Sequence, residues 1–502
     1  SPFSPSSSSS FLFYSPFRFF HPPPPPEIYP LSLHDALPIF VGFKARLAEE
    51  TQTLQQWFAD GALANEKQCT GFELEAWLVD PHGHPLPLNK EFLQRLNSPL
   101  ASPELAAFNV EVNSEPRELQ GNVFTAMHNE LNDTWRQCRQ VASELEAELV
   151  MVGILPTVDN DMLNLSNMSS MERYRALNRE VFRQRHGKPV TLDIVGKEHL
   201  HVTHRDVMLE SAATSFQIHL QVAPSTAVRL FNASTIISAP MVALSANSPF
   251  LFGKDLWQET RIPLFEQAVA VGGFAGAAFG PIHRVSFGSG YARESLFECF
   301  NENLQHYPVM LPVDLSEAGQ ALAHLRLHNG TIWRWNRPLI GFNQQGQPHL
   351  RIEHRVVPAG PTVIDAIATA AFFYGLVNAM AALDVAAEKQ LAFEYARDNF
   401  YEAARFGLDA QVRWLNGKRL SIRELILEQL LPMAEQGLLL QEVSTADIQE
   451  YLGIIRARVS SQQNGAHWQQ AFVDKHGRNM TALLHAYIER QDRGEPVHQW
   501  TL

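Results

Sequence analysis

The stretch Thr70-Gly71-Phe72-Glu73-Leu74-Glu75-Ala76-Trp77-Leu78-Val79-Asp80 constrains the fold more than any other part of the chain. Successive side chains of a β-strand point to opposite faces. Read as a strand, the stretch sends Phe72, Leu74, Ala76 and Leu78 toward a core, and Glu73 and Glu75 together to the other side. Neighbouring carboxylates repel, and both stay ionised only with a cation between them. Hard divalent cations such as Mg²⁺ suit that position, and Mg²⁺ commonly accompanies nucleotide phosphates. Taken alone, the pair is better explained as a solvated strand with two surface glutamates.

Three further stretches repeat the pattern. In Phe108 to Ser114, Phe108, Val110 and Val112 oppose Asn109, Glu111 and Asn113. In Ser215 to Val222, Phe216, Ile218, Leu220 and Val222 oppose Gln217, His219 and Gln221. A Gln-His-Gln face suits phosphate or metal contacts better than mere solubility, for which Lys, Glu and Thr would serve. In Leu350 to Pro358, Leu350, Ile352 and Val356 alternate with Arg351, Glu353 and Arg355, which sets a carboxylate between two guanidiniums. Four such strands predict an α+β fold, with one antiparallel sheet, helices packed on its back and a wet, charged front. Carboxylates and a histidine would hold two or three Mg²⁺, and arginines would meet phosphate oxygens. That equipment serves phosphoryl transfer by positioning and charge neutralisation.

Composition narrows the class. The 502 residues suffice for a large core and more than one domain. A net charge of -13 excludes non-specific nucleic-acid binding, which needs a basic face. Cys69, Cys138 and Cys299 match neither a zinc pattern nor a disulfide framework, as expected of a cytoplasmic protein. The most apolar run, Ile364 to Leu383, is interrupted by Asp365, Tyr374, Gly375 and Asn378 and reads as a buried helix, so no membrane partner is expected. Helical periods are expected over Lys44 to Glu66 and Thr125 to Leu149.

Residues 1–40 carry a serine run and a proline run, and Ser32 to Ile39 resembles translated adapter sequence. This segment is expected to be a disordered, non-native leader. A catalytic domain is expected over 41–385 and a mainly helical region over 386–502.

Other motifs carry weaker signals. Arg173, Arg175 and Arg179 surround Tyr174 and could anchor a carboxylate or phosphate, or simply form a basic helix face. His199, His201 and His204 form H-x-H-x-x-H without the zincin pattern. Arg261 follows the segment Asn247-Ser248-Pro249-Phe250 and is a candidate binding residue. The Gly/Ala-rich segment Gly272 to Gly280 is neither a P-loop nor a dinucleotide fingerprint and reads as a tight turn or helix packing.

In chain order, T-G-x-E-x-E at Thr70 to Glu75, V-E-V-N at Val110 to Asn113, Arg173-Tyr174, F-Q-I-H at Phe216 to His219, N-S-P-F at Asn247 to Phe250 and R-I-E-H-R at Arg351 to Arg355 resemble the glutamate–cysteine ligase family. The resemblance is to its bacterial carboxylate–amine ligase and plant-like type, within the glutamine-synthetase-like superfamily. It covers about residues 45 to 400. It implies a curved antiparallel sheet holding ATP, Mg²⁺ and glutamate. ATP would phosphorylate the γ-carboxylate of glutamate, and the amine of cysteine, or of another acceptor, would displace phosphate. By the same resemblance, Glu73, Glu75, Glu111 and Glu353 would bind Mg²⁺. His219, Gln217 and Arg351 would line the nucleotide site, and Arg355, Glu353 and Arg261 would act at the transferring phosphate. Arg173, Tyr174 and Asn113 would hold substrate, and Glu118 is a looser match to a further acidic position. The alternatives are a guanidino or carboxylate phosphotransferase that does not condense its product, and a non-catalytic nucleotide-binding regulator.

Overall fold

The computed structural model describes residues 33–271, 283–313, 315 and 321–502. The leader through residue 32 and the Gly/Ala-rich segment Gly272 to Gly280 lie outside the described residues. The strand expected at Thr70 to Asp80 is β1 (Cys69–Val79), the middle of an eight-stranded sheet. The others are β2 (Ala101–Pro103), β3 (Asn109–Asn113), β4 (Arg117–Glu118), β5 (Glu148–Val150), β6 (Phe216–Val222), β7 (Asn336–Phe342) and β8 (Pro348–His354). Their order is β7-β8-β6-β1-β3-β2, with β4 and β5 also paired to β1, and every pairing is antiparallel. The sheet curls into a half-barrel with helices behind it.

The register aligns the polar positions. Glu73 lies opposite Asn113 on one edge of β1 and Gln217 on the other, while Glu75 lies opposite Glu111. Farther along, His219 faces Glu353, Gln221 faces Arg351, and Glu353 in turn faces Arg337. Because the side-chain period is two, one correct register brings the whole set to one face. The apolar face of β1 (Phe72, Leu74, Ala76 and Leu78) is buried completely or nearly so.

The helix Val363–Ala381 is apolar all round and buried along its length, as a central core helix must be. It is long and apolar enough to cross a membrane, yet 94% of its most apolar window is enclosed by protein. Its Tyr374 hydroxyl reaches the carbonyls of Gly71 at 3.1 Å and His219 at 2.9 Å, docking the helix on adjacent strands. Asp365 in its first turn meets the buried Arg458 of the helix Thr445–Ser460 at 2.7 Å. Residues from Phe43 to Trp500 belong to one hydrophobic cluster, so the C-terminal helices share the core of the sheet's back.

Both helices read from periodicity have other bounds in the structure, the first also ending at Asp60 short of the expected Glu66. The first helix runs Leu33–Asp60, starting inside the segment assigned to the leader. The second, Val123–Glu144, stops short of Leu149 because the chain turns at Glu146, with φ at 54°, and re-enters the sheet as β5. Apolar periodicity continues across that turn because Leu149 and Val150 point into the same core.

Candidate active site

The concave face of the sheet floors a cavity of about 600 Å³. Glu73, Glu75, Glu111, Asn113, Gln217, Arg351, Glu353 and Arg355 line it from the strands and the chain just after β8, and Arg173, Tyr174 and Arg261 line it from outside the sheet. His219 lies beneath, fully buried, with its Nε2 3.2 Å from Glu73 Oε1. The polar faces are therefore not solvated strand surfaces. They are the floor of one cavity.

Glu73 and Glu75, although neighbours on one face, belong to different clusters. Ligand atoms of Glu73, His219 and Glu353 lie within 4.8 Å of one another, and so do those of Glu75, Glu104 and Glu111. Glu73 reaches His219, diagonal to it on β6, and through it Glu353 on β8, whereas Glu75 meets its direct partner Glu111 on β3.

The second cluster crowds three carboxyl groups together. Burial and the nearby Glu111 push the Glu75 carboxyl up to about 7, despite the opposing pull of Arg355 and the Ser215 amide. Ser215 N donates to Glu75 Oε2 at 2.7 Å, and Gln217 Nε2 donates to Oε1 at 2.8 Å. Burial, Glu111 and Glu75 hold Glu104 well above the usual carboxylate range. Ser102 and Asn113 donate to Glu111 Oε1 at 3.2 and 3.0 Å. Three carboxylates in this setting need protons or a cation, and an all-oxygen set fits Mg²⁺.

Glu353 is in the opposite state. Burial disfavours its charge, but Arg337 and Arg355 outweigh burial and hold the carboxyl far below its ordinary value. Arg337 donates bidentately, at 2.9 Å from Nε and 2.8 Å from Nη2, and Arg355 Nη1 lies 3.1 Å away. The strand pattern suggested Arg351 and Arg355 as the flanking pair. The structure keeps Arg355 but sets Arg337 in place of Arg351, because β7 places it directly opposite Glu353. Arg351 is buried beside Glu73, and burial lowers it to about 10 against the attraction of that carboxylate. The mixed Glu73–His219–Glu353 set thus holds two carboxylates, one of them ion-paired to both Arg337 and Arg355, where the other set holds three.

Arg355 also donates from Nη1 to Gln217 Oε1 at 2.8 Å, so Gln217 bridges Arg355 and Glu75. Arg261 lines the wall but spends its donors on Glu259 (3.1 Å) and on the carbonyls of Arg355 (3.2 Å) and Val356 (2.5 Å). Its geometry is that of a residue positioning Arg355. Arg173 stacks on Tyr174, with 4.6 Å from its carbon to the ring centroid, and donates to the Tyr174 hydroxyl at 2.7 Å. That hydroxyl reaches the Pro103 carbonyl at 3.1 Å.

Several sequence candidates lie elsewhere. Arg175 pairs with Glu172 at the surface, and Gln221 reaches Glu66 at 3.3 Å. Glu118, the looser acidic match, is exposed and 3.4 Å from Lys67, so it does not join the cavity.

Among the charged lining residues, Glu104, Glu210, Arg326 and Arg337 escaped the sequence reading. Pro338 disguised β7, although proline is tolerated on an edge strand, which β7 is. Glu104 sits just past Pro103 in what reads as loop. Glu210, in a short 3₁₀ turn, is pushed up to about 7 by burial and Glu75 against the pull of Arg355, and its Oε2 has no hydrogen-bond partner.

Comparison with known proteins places the chain. Relatives from Frankia alni and Frankia casuarinae, provisionally named glutamate–cysteine ligase 2-3 and 2-2, are 29% identical over 211 and 215 residues. Those matches take in 42% of this chain but 21% of each relative, so they span about a fifth of the relatives' length. A glutamate–cysteine ligase from Francisella tularensis, solved in complex with AMP, superposes with a TM-score of 0.55 over 86% of this chain and 89% of that one. At 13% identity, that likeness establishes a common fold. The sequence profile of glutamate–cysteine ligase family 2 matches residues 69–495, so the chain belongs to glutamate–cysteine ligase family 2.

Proposed function

We propose that this protein is an ATP- and Mg²⁺-dependent carboxylate–amine ligase that joins the γ-carboxylate of glutamate to the amine of cysteine. The observation that carries the reading is one cavity lined both by a cluster of three carboxylates, Glu75, Glu104 and Glu111, and by Arg326, Arg337, Arg351 and Arg355. In the reaction, the γ-carboxylate takes the γ-phosphoryl group of ATP, giving a γ-glutamyl phosphate and ADP. The acceptor amine then attacks the acyl carbon, phosphate leaves, and the amine proton passes to a base. This would be the first step of glutathione-type thiol synthesis.

Glu75, Glu104 and Glu111, with Glu73, Glu353 and His219, are the residues that would hold Mg²⁺. Mg²⁺, when bound, neutralises phosphate oxygens and the charge that develops during transfer. Arg355, fixed by Glu353, Gln217 and the Arg261 wall, presents its guanidinium to the transferring phosphoryl group. Arg351 and Gln217 line the nucleotide side, while Arg173, Tyr174 and Asn113 hold the substrate carboxylate. Glu210, poised near neutrality in the same cavity, takes the proton from the acceptor ammonium. The three described cysteines are unpaired, in keeping with a reducing cytoplasm.

A second reading, an acceptor amine other than cysteine, is favoured by the apolar wall of Phe265, Phe300, Leu311 and Leu327, which recognises no thiol in particular. The test is phosphate release from ATP and Mg²⁺ with glutamate and a panel of amines, with products weighed by mass spectrometry. Phosphate and a γ-glutamyl amide should appear only when glutamate and an acceptor are both present. Phosphate transfer without a condensed product would make the protein a phosphotransferase and overturn the reading.

A further inference from the structure

We propose that the outer face of the hairpin Val190–Val195/His199–His204 is a site for a borderline divalent transition-metal ion, Zn²⁺ foremost, held by Asp193, His199 and His201. The proposal is independent of the ligase reading, because none of the three lines the cavity.

The H-x-H-x-x-H spacing divides by strand parity. His199 and His201 are two residues apart and point outward, both exposed. His204, of the other parity, turns inward, where its ring Nε2 sits 2.7 Å from Asn160 Oδ1. The third ligand comes from the paired strand: Asp193 is the register partner of His201 and lies diagonal to His199. Its Oδ1 is 2.6 Å from His199 Nε2, and its Oδ2 is 3.7 Å from His201 Nδ1. A ligand atom from each of the three falls within 4.8 Å of the others. Tetrahedral zinc with bonds of about 2.0–2.1 Å separates its ligand atoms by roughly 3.3 Å, so small side-chain rotations complete the geometry.

The platform is held from below. Asp193 N donates to Gln267 Oε1 at 2.7 Å and the Gln267 amide returns to the Asp193 carbonyl at 3.3 Å, tying the strand to the helix Arg261–Ala268. Charged groups of the turn are engaged elsewhere: Lys197 with Asp255 at 3.2 Å, and Glu198 with Lys254 at 3.3 Å and Arg478 at 2.7 Å. Two imidazoles and one carboxylate favour zinc, nickel or copper over magnesium or calcium, which prefer oxygen alone. An ion here links the two strands of the hairpin and leaves a fourth position to water.

The test uses the full chain without a histidine tag, in excess Mg²⁺ to occupy the carboxylate cavity. Equilibrium dialysis against ZnCl₂ should give one more tightly bound Zn²⁺ in the wild type than in the His199→Ala/His201→Ala double variant. Asp193→Asn should weaken that site about tenfold or more. With CoCl₂, the wild type should show visible d–d absorption that the double variant lacks. Circular dichroism checks that the variants are folded, and ligase turnover, measured without Zn²⁺, should be unchanged. Equal zinc stoichiometry and affinity in the wild type and the double variant, or no bound zinc in either, would overturn the proposal.

Discussion

Glu75 and Glu111 sit directly opposite each other across the antiparallel pair β1–β3. Like charges at opposed sheet positions destabilise the pairing, and both are buried, at 9% and 5% exposure. With Glu104 beside them, the strand pair gathers three carboxyl groups whose simultaneous ionisation folding alone does not reward. Burial and mutual repulsion raise both Glu75 and Glu104, and a cation bound in the cavity would take the place of their protons.

The pH dependence of stability follows from that pair. Folded Glu75 keeps its proton up to about 7, whereas the unfolded chain releases it near 4.5. Its contribution is therefore full below the unfolded value and is lost as pH rises through about 7. Without metal, the melting temperature should be lower at pH 8 than at pH 6. Added MgCl₂ should raise it more at pH 8, where the carboxylates are free to bind. A magnesium effect of equal size at both pH values would count against the cluster as a cation site.

Glu75→Gln separates the cost of the charge from its use. The amide cannot ionise but accepts only one of the two hydrogen bonds from Ser215 N and Gln217 Nε2, so urea denaturation without metal should show the variant gaining on the wild type as pH rises from 6 to 8. Turnover should fall about a hundredfold or more, the usual scale for losing one electrostatic element of a site. Glu73→Gln tests the other cluster in the same way, and full turnover in either variant would remove that residue from the metal site.

Arg337→Met leaves Glu353 buried with half its compensation. Breaking a buried pair in this manner costs about 3–5 kcal/mol. The double variant Arg337→Met/Glu353→Gln should recover much of that loss, and a double-mutant cycle measures the coupling. Arg337→Lys should rescue only in part, since an ammonium cannot reproduce the bidentate contact.

Glu210→Gln should lower kcat by about 10² to 10⁴ and remove the limb of the pH–rate profile that titrates near neutrality. A reduced rate with an unaltered profile would show that Glu210 shapes the cavity without moving a proton.

Gly437→Ala addresses the fold. A Cβ at Gly437 would lie 1.9 Å from the Gly375 carbonyl oxygen, and one at Gly375 would lie 2.4 Å from that of Ala434. These glycines let the helices Val363–Ala381 and Leu431–Leu440 touch backbone to backbone. Either alanine should cost at least about 1–3 kcal/mol by overpacking, read as a lower denaturation midpoint.

The alternations around Glu73, Glu111, His219 and Glu353 were legible because a strand's period is two and each segment carries its own apolar face. They specified four strands, and the antiparallel sheet they predict is the one observed. The order of six short motifs, Thr70 to Arg355, also sufficed to recognise the family. Alternation says which side of a strand a residue takes and nothing about which strand lies beside it. Register alone made Arg337, rather than Arg351, the bidentate partner of Glu353, and divided Glu73 from Glu75. Glu104 and Glu210 reached the cavity from irregular segments that have no period to read. The residue types and their faces were thus local properties of the chain; the charge balance of the site was decided by tertiary pairing, because electrostatic energy depends on distances that only the folded sheet sets.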